Sequence, residues 1–163
     1  MTANDAIKND LAMGETVSLM YLDDLTDAEM MKRACPGINH IKYQVGHLIS
    51  SENAMVEGCL PGTMPPLPAD FAGKYSKEKA TEDNPAAFHS KDELLQIYRQ
   101  QRAATLAALA RQSESDLDRP APEAFQSYAP TVGSVFALQG SHWLMHCGQW
   151  AVLRRQLGRP PLM

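Results

Sequence analysis

The sequence contains no apolar run near the ~20 residues that cross a bilayer as a helix, so no membrane span is expected. Its opening stretch, MTANDAIKND, carries acids and no apolar core of the kind that marks a secretory signal. A cytoplasmic location is expected by default. There is no basic block either. Net charge is −4, and the single cationic cluster, Arg154, Arg155 and Arg159, falls where it would complement the dipole at a helix C-terminus. Binding a phosphate backbone needs a positive footprint, so nucleic acid is not expected as a partner. Three cysteines, Cys35, Cys59 and Cys147, form no CxxC pair, and their odd number suits free thiols better than a disulfide framework. No stretch alternates apolar and polar residues as a half-buried strand would, and no repeat recurs. What is present is ordinary globular composition, 44% hydrophobic and 21% charged over 163 residues. One domain spanning 1–163 is expected.

The apolar periodicity is helical throughout. A first helix runs from Asp5 to about Leu22, and Thr26 caps a short turn before Pro36-Gly37 breaks the chain. Asn39 is the expected N-cap of a second helix, about His40 to Glu57. Its apolar stripe is Ile41, Val45, Leu48 and Met55, beside a more polar stripe of His40, Tyr43, His47, Ser51 and Ala54. Residues 60–89 are irregular, interrupted by Pro61, Pro65, Pro66, Pro68 and Pro85. So long a connection is either a functional, mobile lid or a surface crossover packed by Leu67 and Phe71. The tetrad Ser90-Lys91-Asp92-Glu93 reads as a capping box opening a third helix that ends near Gln112. After a polar, proline-rich connector, Thr131 caps a fourth helix over Val132 to Leu157, with Gly158 at its C-terminal stop. Four substantial helices joined by two long connectors predict an all-α bundle.

Within GSHWLMHCGQW, His142 and His146 lie four residues apart and therefore share one helix face. Neutral imidazole is a good ligand for zinc, nickel and related divalent ions. Their stripe runs Val135, Leu138, Gln139, His142, Met145, His146, Gln149, Leu153, apolar at both ends and polar in the middle. Such a polar cluster, if buried, must be hydrogen-bonded or hold a metal. Catalytic metal sites usually take three protein ligands. His47, mid-helix and beside Gly46, where a neighbour can approach closely, is the best third candidate. His40 sits at a helix start, where capping or solvent exposure accounts for it, and His89 reads as a surface loop residue. A second stripe, Phe136, Gly140, Trp143, Cys147 and Trp150, is either core or, together with the first helix, a dimer interface. Cys147, off the histidine face, reads as a small buried hydrophobe.

The segment PGINHIKYQVGHLISSE, followed much later by TVGSVFALQGSHWLMHCGQW, resembles the DinB-like superfamily of four-helix proteins. The resemblance covers nearly the whole chain. It implies an antiparallel four-helix bundle with one long crossover, a metal triad at His47, His142 and His146, a zinc or nickel ion, and frequent homodimers. Some members of that superfamily are transferases or isomerases that use a low-molecular-weight thiol, mycothiol or bacillithiol; many have no assigned activity, so the fold does not fix the reaction. Gly148 and Gln149 match its Gly-Gln after the second histidine. Gly148 would let another helix approach, and Gln149 would either orient a water or ligand or pack in the bundle.

Two functions follow. In the first, three neutral histidines leave an ion strongly Lewis-acidic, so that a water or a substrate thiol is activated for hydrolysis or thiol transfer on a small molecule. Tyr43 and Ser51, each four residues from His47, would line the pocket or simply pack. Glu52 and Glu57 are not well placed as general bases. In the second, the metal only staples the second and fourth helices, or the pocket binds a small ligand without chemistry.

Overall fold

The computed structural model describes residues 1–162 and leaves Met163 outside it. Six α-helices are present among the described residues: α1 (Ala3–Asp23), α2 (Ile41–Cys59), α3 (Phe71–Lys74), α4 (Lys91–Leu109), α5 (Glu114–Leu117) and α6 (Val132–Gln156). Four are long. No β-strand occurs among these residues, only an isolated antiparallel bridge between Pro120 and Thr131.

Local chemistry sets the helix ends. Thr2, Ser90, Ser113 and Thr131 each form a capping box with the residue three positions on, which satisfies two otherwise orphaned N–H groups. At the far end of α6, Gly158 takes a left-handed φ of 74° that a side chain would resist. The start of α2 departs from expectation. His40, not Asn39, is the N-cap, and its Nδ1 accepts the Tyr43 N–H at 3.0 Å. The Asn39 carbonyl is occupied by the Gln44 side-chain amide. His40 is fully buried, with Nε2 against the Glu82 carbonyl, so its role is capping rather than exposure to solvent.

Helix α6 lies against α1 over the largest contact in the fold and also meets α2, while α2 packs on α4. Two glycines permit the α1–α6 approach. A Cβ on Gly14 would lie 2.7 Å from the Gly140 carbonyl oxygen, and one on Gly140 would lie 2.6 Å from that of Asp10. The stripe of Phe136, Gly140, Trp143, Cys147 and Trp150 is buried, with Gly140 and Cys147 against α1, Trp143 on Tyr98 of α4 and Trp150 against Gln44 of α2. It is core within the chain and leaves no surface there for a second copy. Burial pushes the Cys147 thiol up to about 11, consistent with a small hydrophobe beside Ser18.

The 60–89 crossover is packed down along its length. Phe71, Tyr75 and Phe88 are buried. The Tyr75 ring occupies the space where Gly46 lacks a Cβ, 2.1 Å from the position that atom would take. The Tyr75 hydroxyl accepts the His89 N–H, and Arg33 reaches the Ala80 carbonyl and Asp83. His89 is therefore not a surface residue as its loop position suggests: its side chain is only 11% exposed and its ring stacks on Phe71.

Candidate metal centre

The residues that can hold an ion come from the middles of two helices. His47 lies on the side of α2 that turns toward α6, and His142 and His146 lie one turn apart on α6. Ring centroids are 5.5 Å apart for His47–His142, 6.0 Å for His47–His146 and 5.2 Å for His142–His146. One nitrogen from each ring lies within 4.8 Å of the other two. All three rings are half-buried rather than sealed in the core. Among the described residues no cysteine or carboxylate joins this group.

Electrostatics keep the rings neutral. Burial holds His47 below the usual imidazole range, and burial plus the neighbouring His47 does the same to His142. His146 is lowered to about 4 by burial, with His142 and His47 adding to the effect. Near neutrality each ring therefore retains a lone pair. Neither the His47 nor the His142 ring makes a hydrogen bond within the described residues, so their nitrogens are not committed elsewhere.

His146 is the exception, and its partner fixes its tautomer. Trp150 Nε1, which can only donate, bonds Gln44 Oε1 at 2.8 Å. The other half of the Gln44 amide donates to Gln149 Oε1 at 3.0 Å and to the Asn39 carbonyl. The atom facing His146 is therefore an acceptor, and His146 Nδ1, 2.9 Å away, must carry the proton. That leaves His146 Nε2 as the nitrogen with a lone pair, the outer-shell arrangement common around histidine ligands. Three neutral imidazoles, one of them already locked as a donor of this kind, fit a borderline divalent ion that takes nitrogen at ~2.0–2.1 Å, after small side-chain adjustment.

Other expected site residues separate. Ser51 lines a cleft beside the histidines with His47, Met55, Tyr128, Leu138, His142 and Met145. Tyr43 stacks parallel to His47 with centroids 6.4 Å apart, but its hydroxyl donates to the Ser76 carbonyl and ties the crossover down. Gln149 supports Gln44, one step removed from His146. Gly148, expected to admit a helix, has nothing within 4 Å of where a Cβ would stand and is exposed; the close approach on α6 is at Gly140. Glu52 turns toward α4, where Arg102 and Thr105 donate to it at 2.9 and 2.7 Å. Glu57 accepts the backbone N–H groups of Gly62, Thr63 and Met64. Gln44 escaped the sequence reading, although an amide between Ile41 and Val45 on the apolar side of α2 was the available signal.

Residues 11–150 match the family model of the DinB superfamily, and the chain belongs to that superfamily. No curated protein matches the chain.

Proposed function

We propose that this member of the DinB superfamily is a metal-dependent enzyme acting on a small molecule, with His47, His142 and His146 as the ligands of one divalent ion, zinc or nickel. The observation that carries this reading is the convergence of three neutral imidazoles beside an accessible cleft, with no fourth protein ligand among the described residues. A site with three protein ligands and an open position is the usual catalytic arrangement, whereas structural sites are closed by a fourth. The ion would supply Lewis acidity, lowering the pKa of a water or thiol beside it toward neutrality.

The chain's own residues do the rest. His47 and His142 offer uncommitted nitrogens from two helices. Gln44 keeps the His146 proton on Nδ1 and its lone pair on Nε2. The cleft admits the reactant next to His47 and His142, and Ser51 provides a hydroxyl in its wall. Among the described residues no carboxylate joins the histidines or lines the cleft, which favours a reactant activated by the metal site itself. Thiol S-transfer, with mycothiol or bacillithiol as co-substrate, and hydrolysis both suit such a site. The stapling role is less well supported, because Gln44 already joins α2 to α6 through Gln149, His146 and Trp150.

The wider reading is of one domain, an antiparallel four-helix bundle with a long crossover, working in the cytoplasm. A homodimer would draw on α1, where Met13 and Met20 are exposed. The test is turnover by metal-replete protein. Mycothiol, bacillithiol and glutathione are each offered with an electrophile such as 1-chloro-2,4-dinitrobenzene, and p-nitrophenyl acetate is hydrolysed in parallel. Turnover in proportion to bound metal is expected in one of the two assays. Metal-replete protein silent in both would favour the stapling role.

A further inference from the structure

We propose that the cleft beside His47 and His142 is a subsite for a neutral, apolar group of about single-ring size, so that the molecule acted on carries such a group next to its metal-seeking atom. The inference rests on the metal reading and adds the substrate class. Three segments build the cleft: α2 with His47, Ser51 and Met55, α6 with Leu138, His142 and Met145, and the 118–131 connector with Tyr128. Among the described residues no lysine, arginine, aspartate or glutamate lines it. The two carboxylates of α2 are committed elsewhere, Glu52 to Arg102 and Thr105 and Glu57 to three backbone N–H groups. The walls offer an entering charge no partner for the water it loses, which is costly, and a cation would also face the charge of the ion held by the histidines. The walls therefore select against charge as well as for apolar surface.

Size and rim point the same way. The cleft holds about 280 Å³, just below the ~300–1,000 Å³ of sites for drug-sized ligands. Its mouth leaves large apolar side chains in water: Met145 is 61% exposed and Tyr128 58%. An apolar group seated between them removes that surface from solvent. Methionine thioethers adapt to ring edges, and a tyrosine ring offers a face for stacking. The Tyr128 wall is held in place before any ligand arrives. Ala121 N–H donates to the Pro130 carbonyl, Val132 N–H to that of Arg119, and Tyr128 N–H to that of Phe125. On α6, Leu138, His142 and Met145 follow one another at helical spacing, so the apolar walls and the histidine share one face.

The test uses full-length protein loaded with Co(II) and titrated with two probes while the visible cobalt band is followed: imidazole and 4-phenylimidazole. The phenyl compound should bind at least ~tenfold tighter than imidazole, the gain expected for burying one ring face. Met145→Ser and Leu138→Gln, checked for unchanged melting, should each remove most of the phenyl gain and leave imidazole affinity within about twofold, since neither side chain is a ligand. Equal affinity for imidazole and its phenyl derivative overturns the subsite and leaves the metal reading standing. A protein that develops no cobalt band overturns both.

Discussion

Helix α2 carries two polar clusters with opposite outcomes. Toward α4, Glu52 and Arg102 form an ion pair with each side chain 1–2% exposed, and Thr105 adds a hydrogen bond to the carboxylate. Burial raises the Glu52 carboxyl, against the pull of Arg102 and Thr105. Toward α6, His47, His142 and His146 are neutral and half-buried, and two of the three rings make no hydrogen bond within the described residues. The first cluster is neutralised by partners the protein itself supplies and is closed to solvent. The second brings one nitrogen from each of three rings within 4.8 Å of the other two and opens on a cleft. A buried charge that has its counter-charge is structure; a set of convergent donors left uncommitted beside solvent is a site. Metal affinity and fold stability should therefore separate between the two.

The largest effect expected from breaking that separation is on the histidine side. His142→Ala should weaken metal binding by roughly a thousandfold or more, beyond the ~10–100-fold typical of outer-shell changes. Melting of the metal-free protein should barely move. Competition with a chromophoric chelator and thermal denaturation measure the two quantities.

Next is the reverse experiment. Arg102→Met leaves Glu52 buried without its partner and should cost ~3–5 kcal/mol in urea denaturation, with metal affinity unchanged. Glu52→Leu combined with Arg102→Met should recover most of that loss, because a paired desolvation penalty is then removed together.

A smaller effect sharpens the role of Gln44. Gln44→Leu should weaken metal binding by ~10–100-fold by freeing the His146 tautomer. Gln44→Glu keeps an acceptor for His146 Nδ1 and should stay nearer the parent protein. Nitrogen-15 NMR of the metal-free ring reports the tautomer directly: proton on Nδ1 in the parent chain, mixed in the leucine variant.

The smallest is a pH effect away from the metal. Burial holds His40 below the ordinary histidine value of 6.5, and its Nδ1 must stay unprotonated to accept the Tyr43 N–H. The unfolded chain takes up a proton near 6.5 that the folded chain refuses, so stability is full above that pH and is lost as pH falls toward the folded value. The site histidines carry the same sign. Melting of metal-free protein should therefore drop between pH 7.5 and 5.5, and His40→Asn should flatten part of the drop. A slope unchanged in that variant would remove His40 from the account.

Much of this was legible in the chain. Thr131, Ser90 and Gly158 announced helix ends through local chemistry, and four-residue spacing placed His142 beside His146 without knowledge of any neighbour. What was hidden depended on which neighbour each residue meets. Gly140 and Gly148 look alike in sequence, yet only the first faces α1. Asn39 is a good cap in isolation, but the Gln44 amide takes its carbonyl and His40 takes its place. The Arg102–Glu52 pair joins residues fifty apart in the sequence, and no local pattern announces it. Tyr128, in an irregular connector, reaches the cleft only because the Pro120–Thr131 bridge folds that connector back.

Elemental analysis of the purified chain tests the central claim most directly, for the parent protein and for His47→Ala prepared identically. The account predicts about one equivalent of zinc or nickel per chain in the first and almost none in the second, with both folded. A parent protein that retains no divalent transition metal and takes none up on addition, or a His47→Ala variant that retains it in full, would contradict the account.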